Sequence, residues 1–233
     1  MSDHSPTVGR VTEPTFLDEI RSSYDNVAAS YAELVPPRLG TWRLGLAMLA
    51  TFAELVETDG GGPIADVGCG PGHVTAHLES LGADAFGIDL SPGMIEMARR
   101  DHPALRFEVG SMTALDLADG SMGGVAAWYS MIHLPPEALP GVFVEFHRVL
   151  APGGRLLLAF HVGDECRRKE QGYGHAMSLN LQYLLPERLI ELAASAGLEI
   201  RTRVVVEADQ GLPSLPSPPA AQACLLFRKT LPA

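Results

Sequence analysis

Long apolar segments and positive charge are what this sequence has least of. No apolar run approaches the roughly 20 residues that span a membrane, and the N-terminus lacks a basic stretch followed by an apolar one. Lysine and arginine number 17 against 28 acidic residues, which gives a formal net charge of -11. Nucleic acids and anionic lipid surfaces are bound through cationic side chains, so we exclude both as partners and expect a cytoplasmic protein.

Cysteine is also rare. Cys69, Cys166 and Cys224 lie far apart and include no CxxC spacing. Separated cysteines in odd number indicate neither a disulfide framework nor a zinc site, and we interpret all three as reduced thiols. The histidines and carboxylates show no ligand spacing either, so we expect no metal.

Hydrophobic residues make up 46% of the 233 residues, enough for one substantial core. In the middle of the chain, short apolar stretches alternate with helical patterns. This βαβα repetition predicts a Rossmann-like α/β fold, with a mostly parallel sheet and helices on both faces. Strands are predicted at about 63–67, 84–88, 105–109, 123–129 and 154–161, and helices at about 72–80, 91–101 and 136–150.

The two ends of the chain have other patterns. Residues 1–14 lack periodicity and predict a loose tail, which is followed by helices at about 16–35 and 39–56. Near the C-terminus, two strands joined without a helix are expected to pair as an antiparallel hairpin. This part comprises a helix at 186–196, strands at 198–207 and 222–229, and the proline-rich segment 211–219 between the strands.

Residues 66–72, with the sequence DVGCGPG, connect the first strand of the alternating region to its first helix. Gly68, Gly70 and Gly72 let the backbone bend sharply and let a ligand approach without meeting a Cβ atom. A dinucleotide loop normally reads GxGxxG, and a P-loop continues with lysine and serine or threonine. Neither pattern is present, which weakens the phosphate-binding interpretations and leaves an ordinary tight turn as the alternative to a nucleotide-like site.

Asp89 ends the second predicted strand, 17 residues after Gly72. A carboxylate at this position can accept hydrogen bonds from both hydroxyls of a ribose. The alternative is that Asp89 caps the helix that follows. Ser91 already supplies a good N-cap with Pro92 in the first turn, so we favour the ribose role.

Three motifs occur in order: residues 66–72, residues 87–94 (GIDLSPGM) and residues 149–156 (VLAPGGRL). Together they resemble the motifs of class I S-adenosylmethionine-dependent methyltransferases of the small-molecule type. The resemblance covers about residues 24–229 and implies a seven-stranded sheet whose last strand is antiparallel. It also implies S-adenosylmethionine as cofactor, S-adenosylhomocysteine as product and a small-molecule acceptor.

The resemblance also assigns residues to the cofactor. It implies that Asp66 orients the glycine turn and the methionine amino group, and that Asp89 holds the ribose. Leu90 and Met94 would flank the nucleoside, although Met94 fits a plain core position equally well. Further positions implied at the cofactor are Gly68, Gly70, Gly72, Ser111, Met112, Tyr129 and Ser130.

This sequence departs from the family pattern after the third strand. Family members commonly carry an acidic residue there, at the adenine amino group, where this chain has Ser111. A hydroxyl accepts a hydrogen bond more weakly than a carboxylate does, so we expect Ser111 and the backbone of Met112 to hold adenine less tightly.

Tyr24 and Tyr31 are two helical turns apart and project from one face of the first helix. This stretch resembles the N-terminal helix that covers the cofactor in many relatives, with packing against the rim of the sheet as the alternative. We therefore expect residues 1–60 to form a tail and lid helices, and residues 61–233 to form the cofactor-binding core of a single domain.

Histidine is the side chain best suited to take up a proton from an acceptor near neutral pH. His133 follows the fourth strand, His161 ends the fifth, and His175 lies in the insertion 163–178. We name these three as candidate bases, with a structural hydrogen-bonding role as the alternative for His133. His73, His77 and His147 are set aside, and the charged run 164–170 is interpreted as a solvated face of the insertion.

The sequence thus predicts methyl transfer to an oxygen or nitrogen of a small molecule, in specialised metabolism. A nicotinamide-dependent oxidoreductase shares the glycine turn and the distal aspartate, but its loop spacing differs. A third possibility is a protein that binds S-adenosylmethionine without transferring its methyl group.

Overall fold

The computed structural model describes residues 15–35, 39–40, 42–207 and 220–231. The tail predicted at residues 1–14 and the proline-rich segment 211–219 lie outside the described residues. Within them, no helix combines the length and apolar character needed to cross a membrane. The helices are α1 (Thr15–Leu34), α2 (Arg43–Thr58), α3 (His73–Ser80), α4 (Pro92–Asp101), α5 (Leu139–Val149) and α6 (Pro186–Ser195), with a 3₁₀ turn at Met131–His133.

Seven strands form one sheet, and two more form a separate hairpin. The strands are β1 (Ile64–Val67), β2 (Ala85–Asp89), β3 (Phe107–Val109), β4 (Met122–Trp128), β5 (Leu150–His161), β6 (Cys166–Gly172), β7 (His175–Gln182), β8 (Leu198–Val206) and β9 (Gln222–Lys229). The large sheet has the order β3-β2-β1-β4-β5-β9-β8, while β6 and β7 pair with each other.

The pairing of the strands confirms the predicted fold class. Strands β1 to β5 pair in parallel, whereas β9 lies between β5 and β8 and is antiparallel to both. The last strand of the chain is therefore the antiparallel one, as the family resemblance implies. Because β1, β2 and β4 are parallel neighbours, their carboxyl ends meet at one edge of the sheet.

Helices cover the two faces of the sheet and make the core. Helix α2 packs on one face through Leu49 and Phe52, near Leu78 of α3. On the other face, α5 and α6 contribute Phe143 and Leu189 to the second apolar cluster. Strand β4 is buried along its whole length because it is covered on both sides.

The two N-terminal helices have different positions, so the expectation that residues 1–60 supply lid helices does not hold for both of them. Helix α2 is a layer of the core, with Met48 and Val56 buried against the sheet. Helix α1 instead packs against α4 and β7. We therefore keep the proposal of a lid for α1 alone.

The hairpin β6–β7 is the element that the sequence did not predict. We expected residues 164–170 to be the solvated face of an insertion, but residues 166–170 belong to β6, and their side chains alternate between exposed and half-buried. The period of two is hidden in β6 because both of its faces carry charged or polar residues. In β7 it is visible, since Leu179 and Leu181 are buried and Asn180 between them is exposed.

Candidate functional site

A cleft opens at the carboxyl edge of β1, β2 and β4, beneath helix α1. Its empty volume is about 1320 Å³ including its mouth, enough for a ligand the size of a nucleoside derivative. We call it the main cleft. Of the residues assigned to the cofactor or to catalysis from sequence, the following line it: Tyr24, Tyr31, Asp66, Gly68, Gly70, Asp89, Leu90, Met94, Ser111, Met112, Tyr129, Ser130, His133 and His161.

The glycine turn forms the floor of the main cleft. Gly68 has φ +78° and Gly70 has φ +54°, in the left-handed region that favours glycine. A Cβ atom on Gly68 would lie 2.2 Å from the Cβ of Ser130, whose hydroxyl donates to the Val67 carbonyl at 2.7 Å. Only glycine fits at position 68, because β4 approaches the turn this closely.

Asp66 is buried beneath this turn, with 1% of its surface exposed. Its Oδ2 accepts a hydrogen bond from the Thr75 hydroxyl at 2.7 Å, while its Oδ1 has no hydrogen-bond partner among the described residues. Burial raises the pKa of Asp66 to about 7. A buried carboxylate oxygen without a partner in a ligand-sized cleft is suited to a cationic group such as an ammonium.

Asp89 holds the glycine turn from the neighbouring strand. The Gly70 N–H donates to its Oδ2 at 2.8 Å, and the Ser91 N–H donates to its Oδ1 at 2.8 Å. Each carboxylate oxygen keeps a further lone pair, which two vicinal hydroxyls can use. Burial raises the pKa of Asp89 to about 6, although both backbone donors favour the charged form.

Ser91 rather than Asp89 is the N-cap of α4, as we expected, because its hydroxyl accepts from the Met94 N–H at 3.0 Å. Sequence reasoning did not find Asp25 of α1, whose Oδ1 accepts from the Ser91 hydroxyl at 2.5 Å and from the Gly93 N–H at 2.9 Å. Asp25 thereby ties α1 to the start of α4, across the mouth of the cleft.

One end of the main cleft is lined by apolar side chains and a short turn. Met94 is buried, and Leu90 is half-buried. The Ser111 hydroxyl exchanges a hydrogen bond with the Thr113 hydroxyl at 2.8 Å and accepts from the Thr113 N–H at 3.3 Å. Part of its hydrogen-bonding capacity is therefore used within the protein, which agrees with a weak rather than a strong polar contact here.

The opposite end is aromatic. Tyr129 has φ +53°, which is rare for a residue other than glycine, and its hydroxyl donates to Gln222. The ring of His161 lies 4.9 Å from that of Tyr129, and burial lowers the pKa of His161 to about 4. Trp42 and Gln222 also line this end and were not predicted. Gln222 pairs with His161 in the β5–β9 register, a relation between residues distant in sequence.

Tyr24 and His133 form a hydrogen-bonded pair where α1 meets the turn after β4. The Tyr24 hydroxyl and His133 Nε2 are 2.6 Å apart, and His133 Nδ1 faces the Asn180 carbonyl at 3.4 Å. If Nδ1 carries the hydrogen, Nε2 is the acceptor and Tyr24 is the donor. Burial lowers the pKa of His133 to about 4, so its ring is neutral at pH 7.

A second cavity adjoins the main cleft beneath the β6–β7 hairpin. Its empty volume is about 1210 Å³ including its mouth, and we call it the hairpin chamber. Tyr24, Tyr31, Tyr129 and His133 line both spaces. His175 lines only the hairpin chamber, where its Nε2 lies 3.0 Å from the Ser30 hydroxyl, so it is separated from the glycine turn.

Two residues near the main cleft lie differently from what the sequence predicted. Gly72 does not line the main cleft: it starts α3 with φ +82°, and a Cβ atom there would meet the Phe107 ring at 2.6 Å. Close packing against Phe107 accounts for a glycine at this position, and its contact with the cofactor stays a prediction. His73, which we set aside, lines the cleft, and burial lowers its pKa to about 4.

The sheet, the glycine turn and the acidic residue that ends β2 define the class of the protein: a Rossmann-like α/β domain with a ligand-sized cleft at its carboxyl edge. Comparison with known proteins then shows which domains this one is similar to. Residues 64–154 match a family described as methyltransferase domain. Over this range the chain is therefore similar to methyltransferase domains.

Two curated relatives are methyltransferases. The chain is 33% identical over 159 residues to a demethylmenaquinone methyltransferase of Chlorobaculum parvum, covering 66% of this chain and 64% of the relative. It is 36% identical over 188 residues to a malonyl-acyl-carrier protein O-methyltransferase of Hahella chejuensis, covering 77% and 63%. The chain thus spans slightly less than two thirds of these relatives.

Solved structures share the fold. The N1-methyltransferase of 1,6-didemethyltoxoflavin from Burkholderia thailandensis has a TM-score of 0.66 at 20% identity, covering 97% of this chain and 94% of that one. The 4+2 cyclase SpnF has a TM-score of 0.70 at 20% identity, covering 94% and 98%. At this identity the likeness is one of fold. The nicotinamide alternative finds no support among these relatives.

Proposed function

We propose that this chain transfers the methyl group of S-adenosylmethionine to an oxygen or nitrogen of a small-molecule acceptor, in specialised metabolism. The observation that carries the proposal is the pair of carboxylates at the glycine turn, Asp66 buried and Asp89 half-buried. Asp66 lines the main cleft and has one oxygen, Oδ1, without a hydrogen-bond partner in the described part of the chain, and Asp89 keeps lone pairs beside its two backbone donors. An amino group and a ribose supply the matching donors.

The remaining contacts follow from the same arrangement. Gly68 and Gly70 allow the methionine portion to approach the backbone of the turn, and Leu90 and Met94 enclose the nucleoside. Ser111 and the backbone of Met112 face the adenine. Tyr129 and Ser130 bound the opposite side, and α1 covers the cleft with Tyr24 and Tyr31.

The cofactor supplies an electrophilic methyl group on a sulfonium, so the protein has to position the acceptor and exclude water. Helix α1 can contribute to both tasks, because Asp25 attaches it to α4 and Tyr24 attaches it to His133. We assign the removal of the acceptor proton to His133. Its low pKa is no obstacle, because an oxygen that gains a methyl group becomes a much stronger acid than imidazolium.

His161 and His175 fit this role less well. His161 is 9% exposed and lies between the Tyr129 and Tyr183 rings, where its Nδ1 has no hydrogen-bond partner among the described residues. His175 is exposed and adjoins Ser30 in the hairpin chamber. We therefore keep both as lining residues of the acceptor side rather than as the base.

The test is a transfer assay with methyl-labelled S-adenosylmethionine and a panel of phenols, alcohols and amines. We expect labelled product and S-adenosylhomocysteine in equal amounts, and a lower kcat with an unchanged cofactor affinity in His133→Gln. If the protein binds the cofactor but forms no S-adenosylhomocysteine with any acceptor of the panel, the result would instead support the non-methylating alternative.

A further inference from the structure

The hairpin chamber has a distinctive lining. Four tyrosines line it, Tyr24, Tyr31, Tyr129 and Tyr173, together with apolar residues such as Met177 and Leu181. The Tyr31 and Tyr173 rings lie 4.9 Å apart between centroids, and those of Tyr24 and Tyr31 lie 6.0 Å apart. Rings at these distances contact one another and form a continuous aromatic surface, against which a flat, apolar ligand can pack.

Backbone strain occurs at the same place. Tyr129 and Tyr173 are the residues other than glycine with positive φ in the described part of the chain, at +53° and +54°, and both line the chamber. Tyr173 and Gly174 form the two-residue turn of the hairpin, and φ is positive at both. Such turns favour Asn-Gly or Gly-Gly, so a tyrosine there lowers the stability of the fold. A residue kept at such a cost indicates a function, and here we interpret that function as ligand binding by the ring.

The hairpin is fastened over the chamber by α1. The Ser23 hydroxyl donates to the Ser178 carbonyl at 3.1 Å and accepts from the Ser178 N–H at 3.0 Å. Asn26 Nδ2 donates to the Ala176 carbonyl at 2.8 Å. These bonds fix the position of Tyr173 relative to Tyr31, so the aromatic walls are formed before a ligand arrives.

The polar group that faces this aromatic space is the Tyr24–His133 pair. With Tyr24 donating to His133 Nε2, the Tyr24 oxygen keeps lone pairs that a ligand hydroxyl can use. Lys169 and His175 add further polar groups to the hairpin side of the lining. The chamber therefore combines aromatic walls with a hydroxyl-accepting group, the Tyr24 oxygen, where it adjoins the main cleft.

We propose that the hairpin chamber is the acceptor site and that it takes a flat aromatic ring carrying a hydroxyl group, held by Tyr173 and Tyr31 and directed at the Tyr24–His133 pair. This inference rests on the proposed function. In the transfer, the acceptor oxygen forms a bond to the methyl carbon as the carbon–sulfur bond breaks, and the electron pair stays on sulfur. The acceptor proton passes to the Tyr24 oxygen while the Tyr24 proton passes to His133 Nε2.

Binding of three probes tests the ligand class without relying on turnover. Naphthol, its saturated analogue decahydronaphthol and naphthalene are titrated by calorimetry into the protein saturated with S-adenosylhomocysteine. We expect naphthol to bind about tenfold more tightly than either of the others, because only naphthol has both the ring and the hydroxyl. Equal affinity for naphthol and decahydronaphthol overturns the aromatic requirement, and no naphthol binding at about 1 mM overturns the proposal as a whole.

A matched pair of variants tests whether naphthol binds in the hairpin chamber. Tyr173→Asn suits the turn better and should raise the melting temperature slightly, yet it should weaken naphthol binding about tenfold. Tyr173→Phe keeps the ring and should change naphthol binding less than about twofold. Unchanged naphthol affinity in Tyr173→Asn places the ligand elsewhere and overturns the assignment of the chamber.

Titration of S-adenosylhomocysteine distinguishes a failure of the proposed function from a failure of the proposed acceptor class. Both variants should bind it as the unaltered protein does, since Tyr173 lines only the hairpin chamber. Absence of that binding in the unaltered protein contradicts the proposed function. Normal binding together with failure of the naphthol series contradicts only the acceptor class.

Discussion

The two sides of this site are built in different ways. At the carboxyl edge of the sheet, the turn at residues 66–72 takes its shape from glycines with positive φ. Asp89 holds it by accepting a hydrogen bond from the Gly70 N–H. On the acceptor side, α1 and the β6–β7 hairpin meet through side chains that come from distant parts of the chain, such as Ser23 and Ser178. A site made by backbone conformation leaves a local sequence pattern, whereas a site made by contacts between distant segments does not.

The sharpest difference between the sides should appear at Gly68. Gly68→Ala forces a Cβ into the Ser130 side chain at 2.2 Å and a positive φ onto alanine. We expect S-adenosylhomocysteine affinity to fall by at least about 100-fold in calorimetry. Gly82→Ala is the control, since Gly82 has φ +89° with no atom within 4 Å of the added carbon, and it should cost stability alone. If Gly68→Ala bound S-adenosylhomocysteine as tightly as Gly82→Ala does, the glycine turn would not be part of the cofactor site.

Asp89 should have the next largest effect. Asp89→Ala removes the acceptor of the Gly70 N–H together with the group assigned to the ribose. We expect cofactor binding to weaken by about 2–3 kcal/mol, some 30-fold to 150-fold, in calorimetric titrations. Asp119→Ala, which removes a carboxylate exposed beside Arg148, is the control and should leave affinity unchanged. An unchanged affinity in Asp89→Ala would exclude Asp89 from the cofactor.

The affinity for S-adenosylhomocysteine should depend on pH through Asp66. The pKa of Asp66 is about 7, so at lower pH its carboxyl is neutral and cannot pair with an ammonium. Ionisation of Asp66 alone therefore strengthens binding by about 30-fold between roughly pH 5.5 and pH 8, and the smaller step of Asp89 adds to it. Methylthioadenosine lacks the amino group and should show only the smaller step of Asp89, whose pKa is about 6. Identical pH profiles for the two ligands would contradict the role of Asp66.

Asp25 should have the smallest effect, because it acts through the attachment of α1. Asp25→Ala loses the acceptor of the Ser91 hydroxyl and the Gly93 N–H. We expect the cofactor analogue to dissociate about threefold to tenfold faster in stopped-flow displacement. Asp18→Ala, on the exposed side of α1 beside Arg21, should leave the rate unchanged. Equal rates in all three proteins would show that α1 does not retain the cofactor.

The predictability of the fold and site follows from the same contrast. The parallel core, the antiparallel last strand and the Ser91 cap were predictable, because periodicity and capping chemistry are local. The pairing of Tyr24 with His133 joins residues 109 positions apart, and no local pattern announces it. Likewise, the charges of β6 concealed a strand, because its stability comes from pairing with β7 and not from burial of its own apolar face.

Hydrogen exchange with and without S-adenosylhomocysteine tests the central claim most directly, since it shows where the cofactor binds. Binding at the carboxyl edge should slow exchange at the amides of residues 68–72, 89–94 and 110–112, and along α1. The hairpin β6–β7 should change much less. Unchanged exchange at residues 68–72 and 89–94, or slowing confined to the hairpin, would contradict the assignment of the main cleft to the cofactor.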